Sequence, residues 1–175
     1  MTELQTERLD LRPYTEADFD VMARLHGTPD VMAGLREGAL SRAEAREYFD
    51  SYARDWRERG LGIFALFDRI DGAYIGECGF WVRDGFAGSA LRYILDTPHW
   101  GRGYALEAAE TALDWGFRDR AVPVVNAVSR VSNPASERIL QTLGMTLSDT
   151  AHKGHAELHR YTVTRDDWLA ARPLP

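Results

Sequence analysis

The stretch that decides the reading is His99-Trp100-Gly101-Arg102-Gly103-Tyr104-Ala105-Leu106-Glu107-Ala108-Ala109-Glu110. It joins an apolar strand-like segment, Ala90 to Leu95, to a helical run from about Gly103 to Arg118, in which Leu106, Ala109, Leu113 and Phe117 mark the buried side. Glycines at a strand–helix junction let the backbone approach a ligand closely, and the first N–H groups of the helix have no intrahelical acceptor. The helix dipole and Arg102 both place positive charge there, which suits a phosphate. On glycine spacing alone, a tight turn that binds nothing fits as well. Two other phosphate motifs do not fit. A dinucleotide fingerprint starting at Gly101 needs Gly or Ala at position 106, where Leu106 stands, and the preceding strand belongs to a hairpin meander. A P-loop needs Gly-Lys-Ser/Thr, which the chain lacks.

Outward from this turn, the periodicities place elements along the chain. Leu9 and Leu11 alternate as a short strand ending at Pro13, and Thr15 with Asp18 reads as a capping box ahead of Phe19, Met22 and Leu25. Thr28-Pro29 starts another short helix. Ser41 to Arg59 is the strongest helix: Ser41 and Glu44 box its start, Gly60 stops it, and Ala45, Tyr48, Phe49, Tyr52 and Trp56 form one apolar stripe. GIFALFD and AYIGECGFWV flank an Asp71-Gly72 hairpin turn, and a polar turn from Arg83 to Gly88 leads into ALRYIL. After the central helix, VVNAVS reads as a parallel crossover strand. Asn133-Pro134 caps a helix reaching Leu143 and ended by Gly144. Closing strands near Met145–Asp149 and Glu157–Thr164 precede a tail helix capped by Thr164 and Asp167. This order predicts an α/β domain with a mixed sheet, not an alternating doubly wound one.

The chain has 175 residues, 45% hydrophobic and 27% charged, which predicts one globular domain burying roughly 70% of its unfolded surface. A net charge of −6 and the absence of a basic run argue against a nucleic-acid partner. Cys78 is the only cysteine, so an intramolecular disulfide and a cysteine-rich zinc site are excluded. No apolar window approaches the ~20 residues of a membrane span, and MTELQTERLDLRP has no signal-peptide core. A cytoplasmic protein without a membrane partner is expected.

Asn133-Pro134-Ala135-Ser136 is by itself an ordinary helix cap. Set beside the glycine-rich turn, it completes a pattern that resembles the GNAT superfamily of N-acetyltransferases, in the branch of ribosomal-protein N-terminal acetyltransferases and their relatives. Five segments carry the resemblance in order: Thr6–Phe19, Tyr74–Phe80, His99–Glu110, Asn133–Met145 and Arg160–Trp168. It implies a GNAT fold across residues 1–175, with a mixed, mostly antiparallel central sheet flanked by helices on both faces. It also implies acetyl-CoA as cosubstrate, no metal, an amine acceptor (a protein N-terminus or a small molecule) and a monomer or homodimer.

Carried over by position, the resemblance makes Trp100, Gly101, Arg102, Gly103, Tyr104 and Ala105 the pyrophosphate loop. Tyr93, Ile94 and Leu95 would run beside pantetheine, and Asn133 and Ser136 would approach the pantetheine and its sulfur. Ser136 is the candidate donor to the departing sulfur. Departures from the family pattern bear on mechanism. Leu140 stands where a tyrosine general acid is common, Ala90 falls where an acidic residue is expected, and Arg92 replaces the usual glycine. Glu77 is then the nearest candidate base, with a solvated edge or a structural ion pair with Arg92 as alternatives. The missing groups also admit a rival, a catalytically degenerate acyl-CoA-binding or regulatory module.

Histidines 152, 155 and 159 cluster in the closing strands, where His155, Glu157 and His159 would share a face. Their spacing matches no zinc motif, so exposed strand histidines are expected, with His159 a candidate substrate contact or proton acceptor. Cys78 reads as a small core residue.

Overall fold

The computed structural model describes residues 2–35, 37–82, 89–153 and 156–173. The expected turn from Arg83 to Gly88 and His155 lie outside the described residues. The strands are β1 (Leu4–Gln5), β2 (Leu9–Pro13), β3 (Ile63–Asp68), β4 (Tyr74–Trp81), β5 (Ser89–Leu95), β6 (Val124–Arg130), β7 (Thr146–Lys153) and β8 (Ala156–Thr164). The helices are α1 (Phe19–Gly27), α2 (Pro29–Met32), α3 (Arg42–Arg59), α4 (Tyr104–Arg118), α5 (Pro134–Thr142) and α6 (Arg165–Ala171). The strands form one sheet in the order β1-β2-β3-β4-β5-β6-β8-β7, antiparallel everywhere except between β5 and β6.

Local chemistry sets most boundaries. The Ser41 and Glu44 side chains each bond the other's backbone, satisfying donors the first turn of α3 leaves free, and Gly60 closes the helix in the left-handed region. Of the α3 stripe, Ala45, Phe49 and Tyr52 are buried, while Tyr48 and Trp56 are half-buried. The β3–β4 hairpin closes through the Asp68 amide donating to the Ala73 carbonyl at 2.9 Å. Thr164 accepts from the Asp167 amide to start α6.

Helices cover both faces of the sheet. One face carries the larger core, in which Phe64, Cys78, Phe80 and Leu91 of the sheet pack with Leu113 of α4, Leu140 of α5 and Trp168 of α6. The other carries α1, α2 and α3 through Met22, Phe49 and Tyr52 around Ile63, and Leu25 and Met32 around Ile94.

Three details differ from the sequence reading. The short β1 pairs with β2, with Leu4 opposite Leu11, and two residues are too few to show a periodicity. β7 runs four residues beyond Asp149, because its backbone pairs with β8 as far as Lys153 opposite Ala156. Its outer half is polar and carries no apolar alternation. Leu106 is half-buried rather than buried, lying in the first turn of α4 where the helix emerges from the sheet.

Candidate active site

The site is built where β5 and β6 part. Their parallel pairing is confined to Ser89 opposite Val125 and Ala90 opposite Asn126. Beyond that, β5 stays with β4 as far as Leu95, while β6 pairs with β8 along its whole length. From Leu91 to Leu95, one edge of β5 therefore has no strand partner among the described residues. An extended ligand with amide groups can pair with such an edge.

Directly after β5, a single turn of 3-10 helix over Thr97–His99 leads into the glycine-rich loop. The indole N–H of Trp100 donates to the Leu95 carbonyl at 2.8 Å, tying the loop to the end of β5. Gly101 (φ 70°) and Gly103 (φ 81°) are both left-handed, which a side chain would strain. The first i to i−4 bond of α4 runs from the Glu107 amide to the Gly103 carbonyl. The amides of Tyr104, Ala105 and Leu106 thus have no intrahelical acceptor. A Cβ built on Gly101 would meet nothing within 4 Å. Open space, free amides and the exposed Arg102 fit an anionic pyrophosphate.

Arg8 braces this loop, a role that reading the sequence did not reveal. Its Nη1 donates to the Arg102 carbonyl at 2.9 Å, its Nε donates to Glu107 at 2.7 Å, and its guanidinium lies 4.4 Å from the Tyr104 ring centroid. The Tyr104 hydroxyl in turn donates to Asp68 at 3.0 Å.

The start of α5 is also tied to β5. Asn133 Oδ1 accepts from the Ser136 amide at 3.1 Å, the expected cap. The Tyr93 hydroxyl lies 2.8 Å from Ser136 Oγ and 3.3 Å from the Ser136 carbonyl oxygen. Burial holds the Tyr93 phenol above its ordinary pKa, with the Ser136 hydrogen bond opposing. Leu140 is buried in the core. Glu137, next to Ser136, pairs with Nδ1 of His159 on β8. His159 therefore grips the first turn of α5, while His152 is exposed. Among the described residues, no group of three or more His, Cys, Asp or Glu side chains could hold a metal ion.

Glu77 lies on the opposite face of the sheet and is completely buried, so the solvated-edge alternative does not hold. Tyr14 donates to its Oε2 at 2.9 Å and Tyr52 to its Oε1 at 3.0 Å. His26 Nε2 stands 3.0 Å from Oε2, and Arg92 Nε 3.6 Å from Oε1, so the ion pair with Arg92 is present. Burial alone would raise the Glu77 pKa. His26, Arg92 and the Tyr14 hydroxyl outweigh it and hold the carboxyl at about 2. Arg92 is itself buried, 4.3 Å from the Trp81 ring centroid and 3.8 Å from the Glu37 carboxylate. Burial pushes the Cys78 thiol well up, as suits a core residue.

A parted pair of parallel strands, a glycine-rich loop opening the next helix and a capped helix beside the gap define the class: a GNAT-fold acyltransferase. Residues 8–146 match the acetyltransferase (GNAT) domain family, and the chain belongs to that family. It is an acetyl-CoA-dependent N-acetyltransferase acting on an amine. It is 29% identical over 163 residues to the uncharacterized protein YkkB of Bacillus subtilis, covering 91% of this chain and 94% of that one. An acetyltransferase from Agrobacterium tumefaciens superimposes with a TM-score of 0.83 at 28% identity, over 93% of this chain and 94% of that one. The ribosomal-protein-S5-alanine acetyltransferase of Vibrio fischeri shares the fold, with a TM-score of 0.81 at 16% identity, over 96% and 99%. Among the described residues no helix is long and apolar enough to cross a membrane.

Proposed function

We propose that this enzyme acetylates an amine of modest basicity, a protein N-terminus or a small molecule, by direct attack, within the branch of ribosomal-protein N-terminal acetyltransferases and their relatives. Acetyl-CoA supplies the activated acyl group when bound. The backbone amides of the Gly101–Ala105 loop and Arg102 hold its pyrophosphate, Trp100 and Tyr104 brace the loop, and the free edge of Tyr93, Ile94 and Leu95 pairs with its pantetheine arm. A backbone N–H of β5 polarises the acyl carbonyl. Asn133 fixes the first turn of α5, and Ser136 donates a hydrogen bond to the sulfur.

The observation that carries the choice of acceptor is the state of Glu77. With its carboxylate held at about 2 and engaged by Tyr14, Tyr52, His26 and Arg92, it is a weak base with no exposed surface. We therefore assign Glu77 to holding Arg92 and the tyrosines in place. An α-amino group with a pKa near ~8 is partly neutral at physiological pH without help, whereas a lysine near ~10.4 rarely is. The enzyme works as a single domain, alone or as a homodimer.

The test is thiol release from acetyl-CoA with a panel of peptides bearing free N-termini, small amines and Nα-blocked lysine peptides. N-terminal and weakly basic amines should be turned over fastest at neutral pH. A preference for the lysine side chain would overturn the reading.

A further inference from the structure

We propose that Tyr93 is a positioning residue that reserves the Ser136 hydroxyl proton for the sulfur of CoA. The inference rests on the reading of Ser136 given above. The geometry is specific: Tyr93 Oη lies 2.8 Å from Ser136 Oγ across 43 residues of sequence, from the middle of β5 to the first turn of α5. A serine hydroxyl has one proton and two lone pairs, and so does a phenol in this respect. When two hydroxyls meet, one of them donates, and which one decides what the other can still do.

The phenol has one proton and two oxygens of Ser136 within reach, and their distances carry the assignment. Both hydrogen bonds of the phenol among the described residues go to Ser136, one to Oγ and a longer one, 3.3 Å, to the carbonyl oxygen. The carbonyl oxygen can only accept. A phenolic proton given to the carbonyl would leave Oη to accept from Oγ, but at 3.3 Å that contact is longer than an ordinary O–H···O bond, so we assign the proton to Oγ at 2.8 Å. Burial keeps the phenol protonated. With Tyr93 donating, Ser136 Oγ accepts, and its own proton is left for another acceptor, which in the reading above is the sulfur of CoA. The backbone of Ser136 is held by the Asn133 cap and its neighbour Glu137 by His159, which fixes the first turn of α5 beside β5.

In the transfer, the acceptor nitrogen bonds the acyl carbon, the C–S bond breaks with its electron pair going to sulfur, and the surplus amine proton passes to solvent. Ser136 and Tyr93 both keep their protons. They supply a directed hydrogen bond to the sulfur as charge develops on it, which a thiol with a pKa near ~8.5 can carry without full protonation.

The experiment compares wild type, Tyr93→Phe, Ser136→Ala and the double variant. Calorimetric affinities for CoA and for desulfo-CoA, at pH 7 and pH 9, provide a readout independent of turnover. A donor facing the sulfur lowers the bound thiol's pKa, so the preference for CoA over desulfo-CoA should rise with pH in wild type. That rise should flatten in Tyr93→Phe and in Ser136→Ala, and no further in the double variant. The ratio cancels any general loss of affinity caused by packing. With hydroxylamine as a small acceptor uncharged at neutral pH, Tyr93→Phe should lower kcat about 5-fold, the equivalent of one hydrogen bond, at unchanged KM for acetyl-CoA. It should have no further effect in the Ser136→Ala background. Equal losses in both backgrounds, or a wild-type pH rise in Tyr93→Phe beside a flattened one in Ser136→Ala, would overturn the role of Tyr93 alone. A wild-type pH rise and kcat in Ser136→Ala would overturn the role of Ser136 itself and the inference with it.

Discussion

The Glu77 carboxylate stands 3.0 Å from Nε2 of His26, and neither side chain has any exposed surface. A buried charge of this kind is tolerated only because partners surround it, and removing one side leaves the other uncompensated. Glu77→Gln should therefore destabilise the fold by about 3–5 kcal/mol, measured by urea unfolding at neutral pH. The folded pKa of about 2 lies below the ordinary value of 4.5, so the stabilisation is fully present above 4.5 and is lost as pH falls through 2. The difference between wild type and variant should shrink across that window. A Glu77→Gln protein as stable as wild type but with its activity plateau lost would return Glu77 to the role of base.

The glycine-rich loop gives the sharpest test of cofactor binding. Gly103 is the left-handed N-cap of α4, and a Cβ there would stand 3.4 Å from Arg8 Nη2. A valine adds both backbone strain and contact with the arginine that braces the loop. Gly103→Val should abolish CoA binding while leaving the sheet folded, read by calorimetry and circular dichroism. Gly101→Ala has open space and carries only the left-handed strain of about 1–2 kcal/mol, so its affinity should fall much less. Equal CoA affinity for a folded Gly103→Val protein and wild type would remove the loop from the binding site.

Arg8 offers a different kind of test, because it holds the loop through the Arg102 carbonyl and Glu107. Arg8→Ala removes a charged donor to the Arg102 carbonyl and the partner of Glu107. Its half-exposed position makes the stability cost small. The expected result is a roughly 5-fold weaker affinity for CoA, from a loop less firmly held, with the melting temperature nearly unchanged. An affinity equal to wild type would show that the loop holds its shape without Arg8.

These contacts mark where the sequence was legible. The box of Ser41 with Glu44, the stop at Gly60, the Asp71-Gly72 turn and the Thr164–Asp167 cap all satisfy backbone groups within three or four residues, so a short window contains the whole argument. The glycine loop and the Asn133 cap were legible for the same reason. Arg8 and Glu107 are 99 residues apart, and Tyr93 and Ser136 43 apart. Such pairs depend on strand order and register, which no local pattern encodes. Glu77 shows the difference most plainly. The alternating strand around it suits an exposed carboxylate as well as a buried one, and only the packing of α1 and α3 over β4 places Tyr52 and His26 on it.

The last prediction concerns what titrates during catalysis. Glu77 is already ionised across the working range, with its pKa held near 2 by His26, Arg92 and Tyr14 against the opposing effect of burial. His159 is engaged by Glu137 at the first turn of α5. Ser136 and the raised phenol of Tyr93 do not lose protons near neutral pH. In the reading above, with no enzyme group acting as base, the acceptor amine sets the pH dependence. Its neutral fraction should make kcat/KM rise with pH and level off near the acceptor's own pKa. Two acceptors whose pKa values differ by more than a unit should then reach their plateaus at correspondingly different pH, and Glu77→Gln should leave that separation standing. Coincident profiles for the two would reveal an enzyme group instead, and His159→Asn would be the variant to decide whether the Glu137–His159 pair supplies it.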